Sequence, residues 1–150
     1  MIPRGIEGVC HVATRITTHH VPKNEDGYTI ADLMLMSELV KFIAQDFDRG
    51  ADVLLADHAD MIGILLEAKD HITDSTLNER IAKAVSLKSI SNRISALSER
   101  GDFVTRVLID LHEATEHALD RNEKWASQIN DKIWRYLDAH AARHAYQSGF

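Results

Sequence analysis

Proline is confined to the start of this chain, and no other feature restricts its fold as strongly. Both prolines, Pro3 and Pro22, lie within residues 1–28, together with three of the seven glycines. Because proline interrupts helices, the rest of the chain can form long uninterrupted ones. Alanine, leucine, isoleucine and charged residues are plentiful there, so the sequence predicts a mostly α-helical protein. Residues 1–28 are predicted to form an N-terminal arm of extended or irregular structure.

Size and composition favour one domain after this arm. With 45% hydrophobic residues in 150, we expect a single core over residues 29–150. No apolar run reaches the roughly 18 residues of a membrane span and no signal-peptide pattern opens the chain, so we expect a cytoplasmic protein with no membrane partner. Cys10, the single cysteine, is followed by His11 and is either an inert thiol or a redox sensor.

Helical periodicity continues from the arm to about residue 85. Thr29 and Asp32 resemble a capping pair that opens an apolar helix, which Gly50 is expected to end. A helix that is apolar on most sides is expected to be buried, and a second subunit could cover it. A second helix is predicted over residues 51–72. Thr76 and Glu79 then look like a capping box for a short helix.

Charge is distributed unevenly along the chain. The net charge is −6, yet residues 79–106 carry six cations and three anions, which makes this segment +3 and the remainder −9. An acidic protein does not bind nucleic acid indiscriminately, because affinity for phosphates comes from clustered Lys and Arg. One basic surface on an acidic protein is instead typical of a selective DNA-binding protein.

The basic segment contains a serine-rich stretch with helical periodicity. Ile90, Ile94 and Leu97 recur at intervals of four and three, so a helix over residues 88–97 would turn them inward. Its outward residues would be short and polar, and such side chains can reach base edges and phosphates in a major groove. Ser86 is placed to cap this helix.

This stretch resembles the recognition helix and first wing strand of MarR-type winged helix-turn-helix regulators. The residues that carry the resemblance are Val85-Ser86, Ser89-Ile90-Ser91, Ile94, Leu97, Gly101 and Val104-Thr105-Arg106. It implies a mostly α winged helix-turn-helix domain, with the helix-turn-helix at about residues 76–100 and long N- and C-terminal dimerisation helices. The basic tip of the wing is missing after Arg106, and the alternative is a helix that begins at Phe103 and leaves no wing.

The resemblance implies a sequence-specific transcriptional regulator that binds double-stranded DNA as a homodimer, and it allows a small-molecule effector. The residues expected to contact DNA are Arg80, Lys83, Ser86, Lys88, Ser89, Ser91, Asn92, Arg93, Arg100, Thr105 and Arg106. We find no Gly-rich phosphate loop, Ser-His-Asp context or CxxC pair, so we predict neither catalytic residues nor a cofactor.

The C-terminal third carries an apolar seam at near-heptad spacing. Its residues are Leu111, Ala118, Trp125, Ile129, Ile133 and Leu137. Such a seam packs against a second subunit, against the chain's own first two helices, or against both.

Histidine and carboxylate pairs support a different function, a metal-binding helical bundle of hemerythrin or ferritin type. His112 with Glu116 and His140 with His144 are each four residues apart, and they form the alternative ligand set to an expectation of no metal. If residues 111–146 were one helix, the two pairs would lie too far apart to share an ion. A third hypothesis is a helical interaction module that does not bind DNA.

Overall fold

Helices make up the regular structure of the residues that the computed structural model describes, which are 4–23, 26–88 and 91–146. The prediction of a mostly α-helical protein is confirmed. The five α-helices are α1 (Arg4–Arg15), α2 (Gly27–Ala68), α3 (Ser75–Ser86), α4 (Ile94–Asp120) and α5 (Lys124–His144). Shorter helical turns are a π-helix at Ile16–His20 and 3-10 helices at Val21–Lys23 and Lys69–His71. None of the described helices combines the length and apolar character needed to cross a bilayer.

The chain divides into two compact units, residues 1–50 with 146–150 and residues 51–145. In the first unit, Ser37 of α2 is buried and its hydroxyl donates to the Ala13 carbonyl of α1 at 3.0 Å. Cys10 lies in α1 as a partly buried free thiol. The prediction of an irregular arm over residues 1–28 is wrong for the described residues, because α1 forms there. Pro3 precedes α1 and Pro22 follows it, so no proline interrupts the residues between them.

Helix α2 is longer at both ends than the apolar helix that the sequence predicted. Its first amides are capped one turn earlier by Asp26, whose carboxylate accepts from the Thr29 backbone N–H at 3.1 Å. Gly50 does not end the helix, which continues to Ala68. A glycine inside a helix costs only about 1 kcal/mol, and the alanine and leucines that follow it favour helix.

The second unit has one core, built from residues of α2, α3, α4 and α5. Its most buried large side chains are Met61, Leu65, Ile81, Val104, Val107, Leu111, Ile129 and Ile133. Most of the predicted apolar seam is therefore covered by the chain's own helices, and the seam is divided between α4 and α5. Leu137 alone in that seam stays 39% exposed.

The predicted recognition helix over residues 88–97 is wrong. Residues 87–88 and 91–93 are not helical, α4 begins only at Ile94, and Ser89 and Ile90 lie outside the described residues. Ser86 closes α3 by donating to the Lys83 carbonyl, and the Ser91 hydroxyl accepts from the Arg93 backbone N–H. Short polar side chains that bond to the backbone in this way compete with helix formation.

Of the residues predicted to face inward, Ile90 lies outside the described residues and the other two differ. Leu97 is fully buried, as predicted, whereas Ile94 is 45% exposed. Ser86 was expected to cap the recognition helix, and it lies instead at the last position of α3.

The wing strand predicted at residues 104–106 is also wrong, because these residues lie inside α4. Val104 and Val107 are buried while Thr105 and Arg106 are exposed, which is the periodicity of a helix and not that of a strand. The sequence alternative of a helix without a wing is thus the correct one, although the helix begins before Phe103.

Candidate metal centre between helices α2 and α5

Three potential metal ligands meet where α5 packs on α2. His140 and His144 are one turn apart on α5, so both imidazoles point to the same side of that helix. They converge on Asp57 of α2, whose Oδ2 atom lies 2.8 Å from Nδ1 of His140 and 2.7 Å from Nε2 of His144. The two rings are adjacent, with centroids 4.1 Å apart. One carboxylate oxygen therefore accepts hydrogen bonds from two imidazoles.

Arg143 supports this carboxylate from its other side. Its Nη1 atom lies 3.1 Å from Oδ1 of Asp57, and its Nη2 atom pairs with Asp60, one turn further along α2. The Asp57 side chain is only 4% exposed. A charge buried to this degree is costly unless it is paired, so the three basic side chains of α5 account for its burial.

The arrangement suits a transition metal ion. The three donor atoms lie within 4.8 Å of one another, with Asp57 buried, His140 partly buried and His144 exposed at its edge. Zinc binds imidazole nitrogen and carboxylate oxygen at about 2.0–2.2 Å, so tetrahedral ligand atoms stand roughly 3.3 Å apart. Each nitrogen must therefore move about 0.5 Å away from Asp57 to admit an ion. The two half-exposed histidines have room for this shift.

A cavity with a mixed polar and apolar lining lies beside this cluster, between α2 and α5. It has a volume of about 330 Å³ and is lined by Asp60, Glu67, Lys132, Arg135 and Tyr136, among others. Burial, followed by the negative charge of Asp57, raises the pKa of Tyr136 to about 12, so this phenol stays protonated at neutral pH.

His58 is next to Asp57 in sequence but faces the opposite helix, α4. It is 2% exposed, and neither ring nitrogen has a well-formed hydrogen bond within the described parts of the chain. Burial and then the nearby Arg100 lower its pKa, which the Asp57 charge and the Leu97 backbone only partly oppose. A Cβ at Gly101 would lie 2.9 Å from its Nε2 atom, so glycine gives the ring its space.

Part of this cluster could be recognised in the sequence. His140 and His144 belong to the alternative ligand set, but its other pair does not join them: His112 lies 3.2 Å from Asn130 and 3.8 Å from Glu116. The third member of the cluster is Asp57, which the sequence pattern did not indicate. Its signal was a carboxylate at a buried position of an apolar helix, three residues after Leu54 and four before Met61.

The residues predicted to contact DNA do not share one helix. Arg80 is ion-paired with Asp110, and the Lys83 ammonium lies 5.3 Å from the Phe103 ring centroid. Lys88, Ser91, Asn92 and Arg93 occupy the connection between α3 and α4, while Arg100, Thr105 and Arg106 lie on α4. Ser86 ends α3, and Ser89 lies outside the described residues.

Comparison with known proteins does not assign this chain to a family. No protein family, curated protein or solved structure matches the chain. The case for any function therefore depends on the geometry of the chain itself.

Proposed function

We propose that this protein binds a divalent transition metal ion of the zinc class through Asp57, His140 and His144. The observation that carries the proposal is the convergence of two imidazole nitrogens from one helix on a single buried carboxylate oxygen of another. Two nitrogens and one oxygen suit zinc and its neighbours in the first transition row, whereas calcium and magnesium prefer oxygen ligands alone.

Metal binding would change the bonding of the cluster in a defined way. An imidazole nitrogen that donates a proton to Asp57 must lose that proton before it can coordinate an ion, so the ion replaces two N–H groups. Arg143 would remain on Oδ1 of Asp57 and hold the carboxylate in position from outside the coordination sphere. Three protein ligands leave a fourth position for water or a small molecule.

The alternative for the same residues is an ion-pair network that only fastens α5 to α2. Arg143 alone already pairs with both Asp57 and Asp60. What favours a metal is the addition of two histidines, one turn apart, on the second oxygen of Asp57. Such pairs at i and i+4 are a common way for a helix to supply two ligands to one ion.

Calorimetric titration of the metal-free protein with Zn²⁺ tests the proposal. We expect one ion per chain, and we expect His140→Ala and His144→Ala each to weaken binding by more than about 100-fold, because loss of an outer-sphere partner alone costs about 10–100-fold. His117→Ala is the matched control, since His117 also lies four residues from a partner, Glu113, but is well exposed on α4.

Two outcomes would contradict the proposal. One is the absence of zinc binding by the wild-type protein at micromolar concentration. The other is equal affinity in the wild type and both α5 variants, which would assign the cluster to ion pairing alone.

A DNA-binding regulator is the second candidate, and the exposure of Lys83, Lys88 and Arg93 around the connection between α3 and α4 favours it. Without a recognition helix, this surface would contact mainly phosphates, so affinity should be modest and should fall as salt rises. The test is to titrate fluorescently labelled DNA duplexes of random sequence with protein and to follow their anisotropy. The wild type is compared with a variant in which Lys83, Lys88 and Arg93 are all changed to Ala. Equal binding by both proteins would remove this candidate.

A further inference from the structure

An apolar stripe runs along the first unit's part of α2. It consists of Leu35, Met36, Leu39, Ile43 and Phe47, which follow one another at intervals of one, three, four and four residues. At 100° per residue these positions fall within about a third of the helix circumference. Each of the five side chains is between 48% and 61% exposed.

None of the described residues of the first unit covers this stripe. Helix α1 packs on another side of α2, where Ser37 is buried against Ala13. The two helices enclose a small cavity of about 40 Å³, lined by Val9, Cys10, Ile43 and Ala44, among others. Val9 itself is 50% exposed, so the apolar surface continues from the stripe onto α1.

We infer that the apolar stripe is the interface through which two copies of this chain form a homodimer. The area of the stripe supports this interface. Five large side chains that are each about half exposed present roughly 600 Å² of accessible surface, and Val9 brings this to about 700 Å², close to the ~800 Å² per partner of a standard interface. Apolar patches of this size on a monomer are usually interaction sites.

The charge of the surroundings also favours a second copy. Residues 1–50 carry seven carboxylates and five cations, a net charge of −2. An anionic membrane or a nucleic acid would be repelled by this unit. The stripe itself carries no charge or hydrogen-bonding group that would select a different protein. A second copy presents the same uncharged stripe, and a two-fold axis across the helices buries both stripes at once.

Light scattering with size-exclusion chromatography tests the dimer, with metal chelated so that the zinc proposal has no influence. We expect the wild type at about 50 μM to have twice the 16.9 kDa mass of the chain. Ile43→Glu should be monomeric with unchanged helical circular dichroism, because two-fold symmetry places the new charge in the interface twice. The acidic flanks of the two copies repel each other, and salt screens this repulsion. High salt should therefore stabilise the dimer, so that a lower protein concentration is needed to dissociate it.

Ile109→Glu is the matched control. Ile109 is 59% exposed and Ile43 is 61% exposed, and both are isoleucines inside helices, but Ile109 lies on α4 in the other unit. This variant should remain a dimer. The inference is wrong if the wild type is a monomer at this concentration, if Ile43→Glu remains a dimer, or if only Ile109→Glu becomes a monomer. If Ile43→Glu loses its helical circular dichroism, Leu39→Ser replaces it as a milder change in the same stripe. This variant must raise the dissociation constant of the dimer at least tenfold.

Discussion

Two glycines inside helices give a matched test of the packing around His58. Gly63 of α2 and Gly101 of α4 are both in helix interiors, where alanine is favoured over glycine by about 1 kcal/mol. At Gly63 an added Cβ meets no atom within 4 Å, so Gly63→Ala should stabilise the protein by about 0.5–1 kcal/mol. At Gly101 the Cβ would lie 2.9 Å from Nε2 of a buried ring.

The ring of His58 cannot easily move away, because it is 2% exposed and packed between two helices. Overpacking in such a place costs about 1–3 kcal/mol, which cancels or exceeds the helix propensity gain. We therefore expect Gly101→Ala to destabilise the protein by about 0–2 kcal/mol. At about 2–4 °C per kcal/mol, this lowers Tm by up to roughly 8 °C.

Thermal and urea unfolding, followed by circular dichroism, measure both variants. A double-mutant cycle then isolates the contact: in a His58→Ala background the clash is gone, so Gly101→Ala should stabilise the protein as Gly63→Ala does. The reasoning is refuted if Gly101→Ala stabilises the wild type by about 1 kcal/mol, or if its effect is the same in both backgrounds.

Three further predictions concern single contacts. Asn122 has a φ of 58° in the turn before α5, so Asn122→Gly should be nearly neutral in urea unfolding while Asn122→Val should cost about 1–2 kcal/mol. Asp57→Asn keeps the shape of a buried side chain but weakens its ion pairs, so the metal-free protein should lose about 1–3 kcal/mol of unfolding free energy. An unchanged midpoint of urea unfolding would contradict the ion pairing. Hydrogen bonds from Arg121 and Trp125 lower the pKa of Glu123 below its usual 4.5. Protonation of this carboxylate should therefore change Trp fluorescence with a midpoint below pH 4.5, and Glu123→Gln should lack that change.

Elements with strong apolar periodicity could be predicted from the sequence. The short helix that became α3 was correct, because Leu77, Ile81 and Ala84 are spaced for one face and are all buried. The predicted capping box was wrong, because Asp74 caps this helix by accepting from the Leu77 backbone N–H and Thr76 lies inside it. The serine-rich stretch misled the prediction because its spacing of isoleucines resembles a helix. The spacing does not reveal that the side chains of Ser86 and Ser91 form hydrogen bonds with the backbone, which compete with helix formation.

Two of the three residues of the candidate metal centre could be predicted. Spacing along one helix is visible in the sequence, so the pair His140 and His144 was found. Asp57 precedes His140 by 83 residues, and only the packing of α5 on α2 brings them together. No local pattern encodes such a distant contact, and no statement about the third ligand was therefore possible from spacing.

Anomalous diffraction at the zinc absorption edge, from crystals grown with Zn²⁺, tests the central claim most directly. The account predicts one strong peak per chain, about 2.0–2.2 Å from Oδ2 of Asp57, Nδ1 of His140 and Nε2 of His144. A peak only elsewhere, such as at His112 and Glu116, or no peak in crystals that contain zinc in solution, would contradict it.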